Sequence, residues 1–243
     1  MKIALLLTGL MRTYKKTYQS LLKSFPPDKV DIFIETWNIL GNIKNETVRH
    51  TVGGLSTEKI NKQEIKKIYT PKYLNIENYE KWENKNKKKF PQDYVTFYSL
   101  VAQYYKVYKG ISTILQSNYD IVIRTRFDIR LDTIFPLQEI INNKNSLICT
   151  DCRKKSISDY LIASNSKNMK IYGDFYNWIC SQITPNFNKN QNIVVEALLF
   201  KYLNLHKILF YTINKANFTL IRNKPFPSKQ YTKGRNKKFI HIQ

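Results

Sequence analysis

Apolar and polar positions along this chain alternate between short continuous runs and helical spacing, the signature of strands interleaved with amphipathic helices. Residues 2–8 (KIALLLT) form an unbroken apolar run, which predicts a strand buried on both faces. Gly9 follows, then a helix-period segment from about Arg12 to Phe25 that Pro26-Pro27 stops. Val30–Thr36 (VDIFIET) reads as a second strand, and this strand–helix–strand opening predicts a parallel sheet with a ligand site after the first strand. Residues 37–56 read as a loop broken by Gly41 and Gly53-Gly54, followed by a short helix near 57–67 and a strand near 72–76. Residues 78–92 are polar and basic and are expected to form an exposed excursion.

The clearest helix is expected over 93–117, with Pro91 and Asp93 as start signals. Phe97, Val101, Tyr104, Tyr108, Ile111 and Leu115 recur at spacings of four and three and make one apolar stripe. Ser99, Gln103 and Lys106 lie on another face, either as a solvated edge or within reach of a ligand. The helix leads into the strand Ile121–Ile123, which ends in the charged burst Arg124-Thr125-Arg126-Phe127-Asp128. Short strands are predicted near 146–149 and 157–163, helices near 166–181 and 192–204, and strands near 207–213 and 217–222. No internal repeat and no sustained heptad is present. The expected fold class is α/β, a mostly parallel central sheet flanked by helices in one domain over 1–225, with a basic tail at 226–243.

With 243 residues, 42% hydrophobic and 14% aromatic, the chain can bury a sizeable core, so one large domain is favoured over two small ones. The first apolar run is too short to span a bilayer and lacks a signal-peptide cleavage site, so a soluble, cytoplasmic protein is expected. Cys149 and Cys152 form a CxxC, but no second CxxC or spaced histidine pair completes a zinc site. Cys180 sits among apolar helix residues and is expected to pack. The net charge of +22 includes runs at Lys85–Lys89 and Lys229–Lys238. It attracts anions of any kind, from nucleic acid to nucleotides, acidic glycans and lipid headgroups, or it is simply a solvated lysine-rich face. Basic residues of the tail near an anionic leaflet would each contribute roughly 1 kcal/mol.

Three constellations could carry chemistry. Thr8-Gly9-Leu10-Met11-Arg12-Thr13 runs from a strand through glycine to a helix N-terminus, whose first N–H groups suit an anion, with Arg12 adding a fork of donors. It lacks both the three-glycine dinucleotide fingerprint and the P-loop Gly-Lys-Ser/Thr. Arg124, Arg126 and Asp128 point to one side of an extended chain. Their arginines need anionic partners, either Asp120, Asp128 and Asp132 in a structural network or a ligand phosphate. Asp159 and Glu196 are carboxylates in apolar sequence, either satisfied structurally or suited to general-base work. His50, His206 and His241 show no triad or metal spacing, and no nucleophilic Ser or Cys arrangement is evident.

Taken in order, IALLLTGLMRTY, VDIFIETWN, the long Tyr-rich helix, YDIVIRTRFDIRL, ISDYLIASNSKNMKIY and VVEALLFKYL resemble bacterial surface-polysaccharide glycosyltransferases of the WavE-like lipopolysaccharide and capsule group. The resemblance spans roughly residues 2–205 and implies a glycosyltransferase-A-like fold. It implies a nucleotide-sugar donor as co-substrate and a glycan or lipid-linked glycan acceptor. Thr8, Gly9 and Arg12 would face the nucleotide, and Arg124, Arg126 and Asp128 the diphosphate. Asp159 and Glu196 would lie near the acceptor, with Glu196 the first choice of base. Gln103 and Lys106 complete the expected donor-binding set.

Two departures stand out. Glu35 replaces the histidine usual on the second strand, and Arg130 stands where the second carboxylate of a metal-binding DxD would be. Asp128 would then hold a divalent ion (Mn²⁺ or Mg²⁺) only with help from donor phosphates, or the arginines would neutralise the leaving diphosphate themselves. The alternatives are transfer of a sugar phosphate or other phosphoryl group at the same cationic site, and, in another class, nucleic-acid binding motivated by charge and tyrosines. No recognition motif supports the last.

Overall fold

A computed structural model describes residues 1–41, 58–86, 95–153, 156–182, 195–213 and 217–221, with the side chains of 95–99 left aside. The elements run β1 (Ile3–Gly9), α1 (Tyr14–Ser24), β2 (Asp31–Trp37), α2 (Lys62–Tyr69), β3 (Tyr73–Glu77), α3 (Tyr79–Asn86) and α4 (Val95–Ile114). They continue β4 (Ile121–Arg126), β5 (Ile129–Leu131), α5 (Leu137–Asn142), β6 (Leu147–Cys149), β7 (Cys152–Arg153), β8 (Ser156–Ile157) and β9 (Leu161–Ser164). The last are α6 (Ser166–Gln182), α7 (Val195–Leu205), β10 (Phe210–Thr212) and β11 (Phe218–Leu220). The expected Gly53-Gly54 loop, the Pro91 and Asp93 start signals and the tail at 226–243 lie outside the described residues.

A seven-stranded sheet of order β10-β6-β9-β4-β1-β2-β3 forms the centre. β1 pairs in parallel with both β2 and β4, and β9 alone runs antiparallel to its neighbours β4 and β6. The sheet is therefore mostly parallel, with helices on both faces, as an α/β chain of apolar runs requires. Successive residues of β1 and β4 alternate between two cores. Ala4, Leu6 and Val122 pack with Val101, Val107 and Ile111 of α4, while Leu5, Leu7, Ile121 and Ile123 pack with Leu21 of α1. The antiparallel β9 brings the turn before it to the same sheet edge where β1 and β4 end.

Three sequence expectations are corrected. The helix expected near 57–67 starts at Lys62, because the Asn61 side chain accepts from the backbone N–H of Gln63 and Glu64 at 3.0 and 3.1 Å. The excursion expected at 78–92 contains α3, whose Tyr79 and Trp82 are buried. They stand one turn apart and pack on Trp37, with ring centroids 5.1 Å away in each case, while the charged residues face solvent. The strand expected at 157–163 is split into β8 and β9, leaving Asp159 in the corner between them.

α4 lies unusually near the sheet at Gly110. A Cβ there would meet the Leu6 side chain, including Cδ2 at 2.8 Å, and Glu35 Cγ at 3.2 Å. Gly110→Ala is therefore expected to destabilise by about 1–3 kcal/mol in urea unfolding, since the buried Leu6 side chain must leave its packed position or α4 must move off the sheet. An ordinary helix glycine would instead gain about 1 kcal/mol from alanine, so a stabilised variant would sink the close-approach argument.

Candidate functional site

By strand alternation Thr8, Glu35, Arg124 and Arg126 all stand on the α4 face of the sheet, at the edge where β1, β2 and β4 end. Arg124 is completely buried. Its Nε donates to Thr8 Oγ1 at 2.9 Å, its Nη1 donates to the Asp159 carbonyl, and Nη1 lies 3.7 Å from Asp159 Oδ2. The Asp159 carboxylate also accepts from Gln103 Nε2 of α4. Thr8, Arg124, Asp159 and Gln103 thus form one polar chain linking β1, β4, the corner before β9 and α4. The guanidinium is buried with Nε and Nη1 meeting oxygen partners from two directions, while Nη2 has no hydrogen-bond partner among the described residues.

Two tyrosines line this chain, and sequence reasoning missed them. Burial pushes the Tyr172 phenol up to about 12, with the adjacent Arg124 guanidinium opposing. Burial likewise pushes Tyr104 well up, and the charges of Asp159 and Glu196 add to it. Both phenols are therefore neutral near pH 7 and able to donate. The Tyr104 hydroxyl has no hydrogen-bond partner among the described residues. The apolar stripe of α4 hid Tyr104, and the run ISDYLIASNSKNMKIY hid Tyr172 on α6; a tyrosine at an apolar position brings a hydroxyl into the core, and that is the signal a sequence offers. Glu196 stands in the first turn of α7, half-buried, within electrostatic range of Tyr104.

Arg126 is engaged differently. Its Nε and Nη2 clamp Asp128 Oδ1 and Oδ2 at 2.8 and 2.7 Å, and its guanidinium lies 5.6 Å from the centre of the Tyr160 ring. Its side chain keeps 18% exposure, whereas Arg124 keeps none. Arg130 pairs with Asp132 at 2.9 Å, and Asp120 accepts from the Lys2 backbone N–H at 2.7 Å. The arginine-rich strand end is therefore partly a structural ion network. Asp128, expected to hold a metal ion, is a poor fit for one: both oxygens are taken by Arg126, and no group of three His, Cys, Asp or Glu converges among the described residues.

Beside the buried chain, the β1–α1 turn opens outward. Gly9 adopts φ +102°, a left-handed backbone that favours glycine, and a Cβ there would touch nothing within 4 Å. Thr36 Oγ1 donates to the Gly9 carbonyl at 2.7 Å. Thr13, the residue before α1, makes no side-chain cap; its hydroxyl donates to the Ile221 carbonyl at 3.0 Å. The first turn of α1 contains no acidic residue of its own; the N–H groups of Tyr14 and Lys16 donate to the Met11 and Thr13 carbonyls at 3.5 and 2.8 Å, and Glu64 of α2 lies 2.9 Å from both the Tyr14 hydroxyl and the Lys15 ammonium. Arg12 is half-buried and within electrostatic range of Tyr79.

Lys106, expected in the donor-binding set, is a correction. Its ammonium is fully buried on the β2–β3 side, paired with Glu35 at 3.2 Å and with Glu77, and 4.4 Å from the centre of the Trp37 ring. Glu35 is also fully buried and takes Asn75 Nδ2 at 3.0 Å. Glu35 is thus the counter-ion of Lys106, which accounts for a carboxylate on the second strand.

No protein-family model matches the chain, and no curated protein matches it. Among solved structures the chain is similar to a protein of Desulfovibrio desulfuricans G20 assigned as a nucleotide-diphospho-sugar transferase, at 10% identity and a TM-score of 0.43. That likeness covers 88% of this chain and 80% of the other.

Proposed function

We propose that the protein is a glycosyltransferase of glycosyltransferase-A-like architecture that moves a sugar from a nucleotide-sugar donor to a hydroxyl of a surface glycan. The observation that carries the reading is the juxtaposition at one sheet edge of the open, uncapped β1–α1 turn with the Thr8–Arg124–Asp159–Gln103 chain. The donor diphosphate lies at Gly9 and the open β1–α1 turn, with Arg12 and the exposed edge of Arg126 neutralising it. Arg124 acts through its partners, fixing Thr8 and Asp159. Glu196 takes the proton of the acceptor hydroxyl as the oxygen attacks the sugar's anomeric carbon. The bond to the diphosphate breaks, and the nucleoside diphosphate leaves with the bonding pair. The lipopolysaccharide or capsule acceptor rests on the motif resemblance, and peripheral membrane contact rests on the basic residues of 226–243.

Thermal-shift screening against nucleotide sugars, with and without Mn²⁺, tests the donor. Ligand at a hundredfold above Kd adds about 2.7 kcal/mol and raises Tm by several degrees, whereas no shift with any nucleotide sugar sinks the proposal. Release of nucleoside monophosphate instead of diphosphate would assign sugar-phosphate transfer. Steeply salt-dependent binding to generic DNA or RNA, with no shift by nucleotide sugars, would assign the nucleic-acid reading. Glu196→Gln is expected to lower turnover by about 10²–10⁴-fold while the donor-induced shift persists. Full turnover in that variant removes Glu196 as the base.

A further inference from the structure

α1 carries a row of hydroxyls. Thr13 just before it and Thr17, Ser20 and Ser24 along it recur at spacings that keep them on one face. All of them bond to backbone groups outside the helix. The Thr13 hydroxyl donates to the Ile221 carbonyl at 3.0 Å, and the Thr17 hydroxyl to the Phe127 carbonyl at 2.5 Å. Further along, the Leu131 and Phe135 N–H groups donate to Ser20 Oγ at 3.1 Å and to Ser24 Oγ at 3.2 Å. A hydroxyl has one proton to give, and Thr17 Oγ1 lies farther, at 3.3 and 3.4 Å, from the Thr13 and Tyr14 carbonyls of its own helix. Its bond therefore points to the strand end. Plain packing of this face would be met by alanine or valine and needs no hydroxyl.

The first two bonds meet at the candidate site. Phe127 stands between Arg126 and Asp128, whose side chains clamp each other, and the Ile221 N–H donates to the Asp128 carbonyl at 2.8 Å. Thr17 thus holds the clamp directly, and Thr13 holds it through Ile221. Both threonines are buried, and Thr13 adjoins Arg12 in the chain. The β1–β4 ladder ends at the pair Thr8–Arg126. Past that pair, the Thr13 and Thr17 hydroxyls continue the connection between the β1–α1 turn and the clamp.

We propose that Thr13 and Thr17 are positioning residues that fix the β1–α1 turn and the Arg126–Asp128 clamp in one arrangement, preorganised for a nucleoside diphosphate. The proposal rests on the donor-binding reading above, which assigns Arg12 and Arg126 to the diphosphate from two different segments. Like charges on segments that move separately repel, and bringing them together would cost affinity. The hydroxyl bonds set their spacing before the anion arrives, so the donors face it without reorganisation.

Thr13→Val and Thr17→Val keep the side-chain shape and remove the hydroxyl, whereas Thr13→Ser and Thr17→Ser keep the hydroxyl. Ser24→Ala, about three turns from Thr13, removes a comparable bond of the same row and controls for stability alone. Affinity of the full-length protein for ADP, CDP, GDP and UDP is measured by isothermal titration calorimetry at a temperature where every variant is folded. Each valine variant is expected to bind the tightest of the four about tenfold more weakly than wild type, while both serine variants and Ser24→Ala stay near wild type. Unchanged affinity in the valine variants overturns the proposal. So does a Ser24→Ala protein as weak as Thr17→Val, which would make the row a matter of stability only.

A second readout needs no nucleotide. In native-state hydrogen exchange of the unliganded protein, the Ile221 amide should exchange faster in both valine variants and at the wild-type rate in Ser24→Ala. Wild-type exchange in the valine variants overturns the tie between turn and clamp. A wild-type protein that binds none of the four nucleotides sinks the donor reading, and the tie then stands or falls on the exchange rates alone.

Discussion

Arg124→Met is expected to cost about 3–5 kcal/mol in urea unfolding, the usual penalty for removing one partner of a buried charged pair. The guanidinium is sealed between Thr8 Oγ1, the Asp159 carbonyl and the Asp159 carboxylate, whose side chain keeps only 9% exposure. Methionine fills most of the volume but leaves the Asp159 carboxylate without its buried cation, with Gln103 as its hydrogen-bond donor and the charge of Arg126 nearby, and takes the donors from Thr8 Oγ1 and the Asp159 carbonyl. Arg124→Lys should recover only part of the loss, because a point ammonium cannot reach Thr8 and the Asp159 corner together. Adding Asp159→Asn to Arg124→Met should return a share of the stability, since the stranded charge is then gone, and the two effects will not add. A loss below about 1 kcal/mol for Arg124→Met would mean that water enters the cluster and that Arg124 is not its keystone.

The second large effect is expected at Lys106. Lys106→Met removes the only cation paired with Glu35 and Glu77 among the described contacts and leaves two carboxylates facing the same pocket. A loss of about 3–5 kcal/mol at pH 7 is expected. Its pH dependence has a distinctive sign. Burial raises the folded-state pKa of Glu35 above its ordinary value of 4.5, and Lys106 opposes that shift. In Lys106→Met the opposition is gone, so the folded protein binds a proton at Glu35 at higher pH than the unfolded chain does. Stability then rises as pH falls through the window between the folded pKa and 4.5 and levels off below it. The gap between variant and wild type should narrow from pH 7 to pH 5 in parallel urea titrations. A gap that is constant or widens toward pH 5 would place the damage in packing against Trp37 instead. Glu35→Gln combined with Lys106→Met should restore much of the stability at pH 7 and abolish the narrowing.

How much was legible in advance depended on whether a residue's partners lie nearby in sequence. The runs of β1, β2 and β4 announced buried parallel strands, and α6 came within a residue of its expected bounds, because apolar periodicity is local. α3 was hidden because its aromatic pair serves Trp37, some 40 residues earlier, while half of its own residues are charged. The charged end of β4 stood out as a site on sequence grounds, yet its internal wiring did not. Arg126 found Asp128 two residues on, but Arg124 found Asp159 at a separation of 35. Lys106 paired with Glu35 at a separation of 71, so a position read as a polar helix edge became a buried ion. Charge at a strand tip announces that something binds there; whether the partner is ligand or protein is set by tertiary contacts that no local pattern encodes.

The placement of β1 has a further consequence, during synthesis rather than in the finished protein. Its β2 edge is covered as soon as β2 is made, but its other edge, the six residues Ile3–Thr8, pairs only with β4. At ordinary elongation rates the roughly 80–90 residues between β2 and β4 take several seconds to emerge. Throughout that interval a nascent chain presents an unpaired, apolar strand edge of the kind that recruits its neighbours on a polysome. The first 120 residues already carry a net charge of +9, which keeps such neighbours apart by mutual repulsion until the sheet can close.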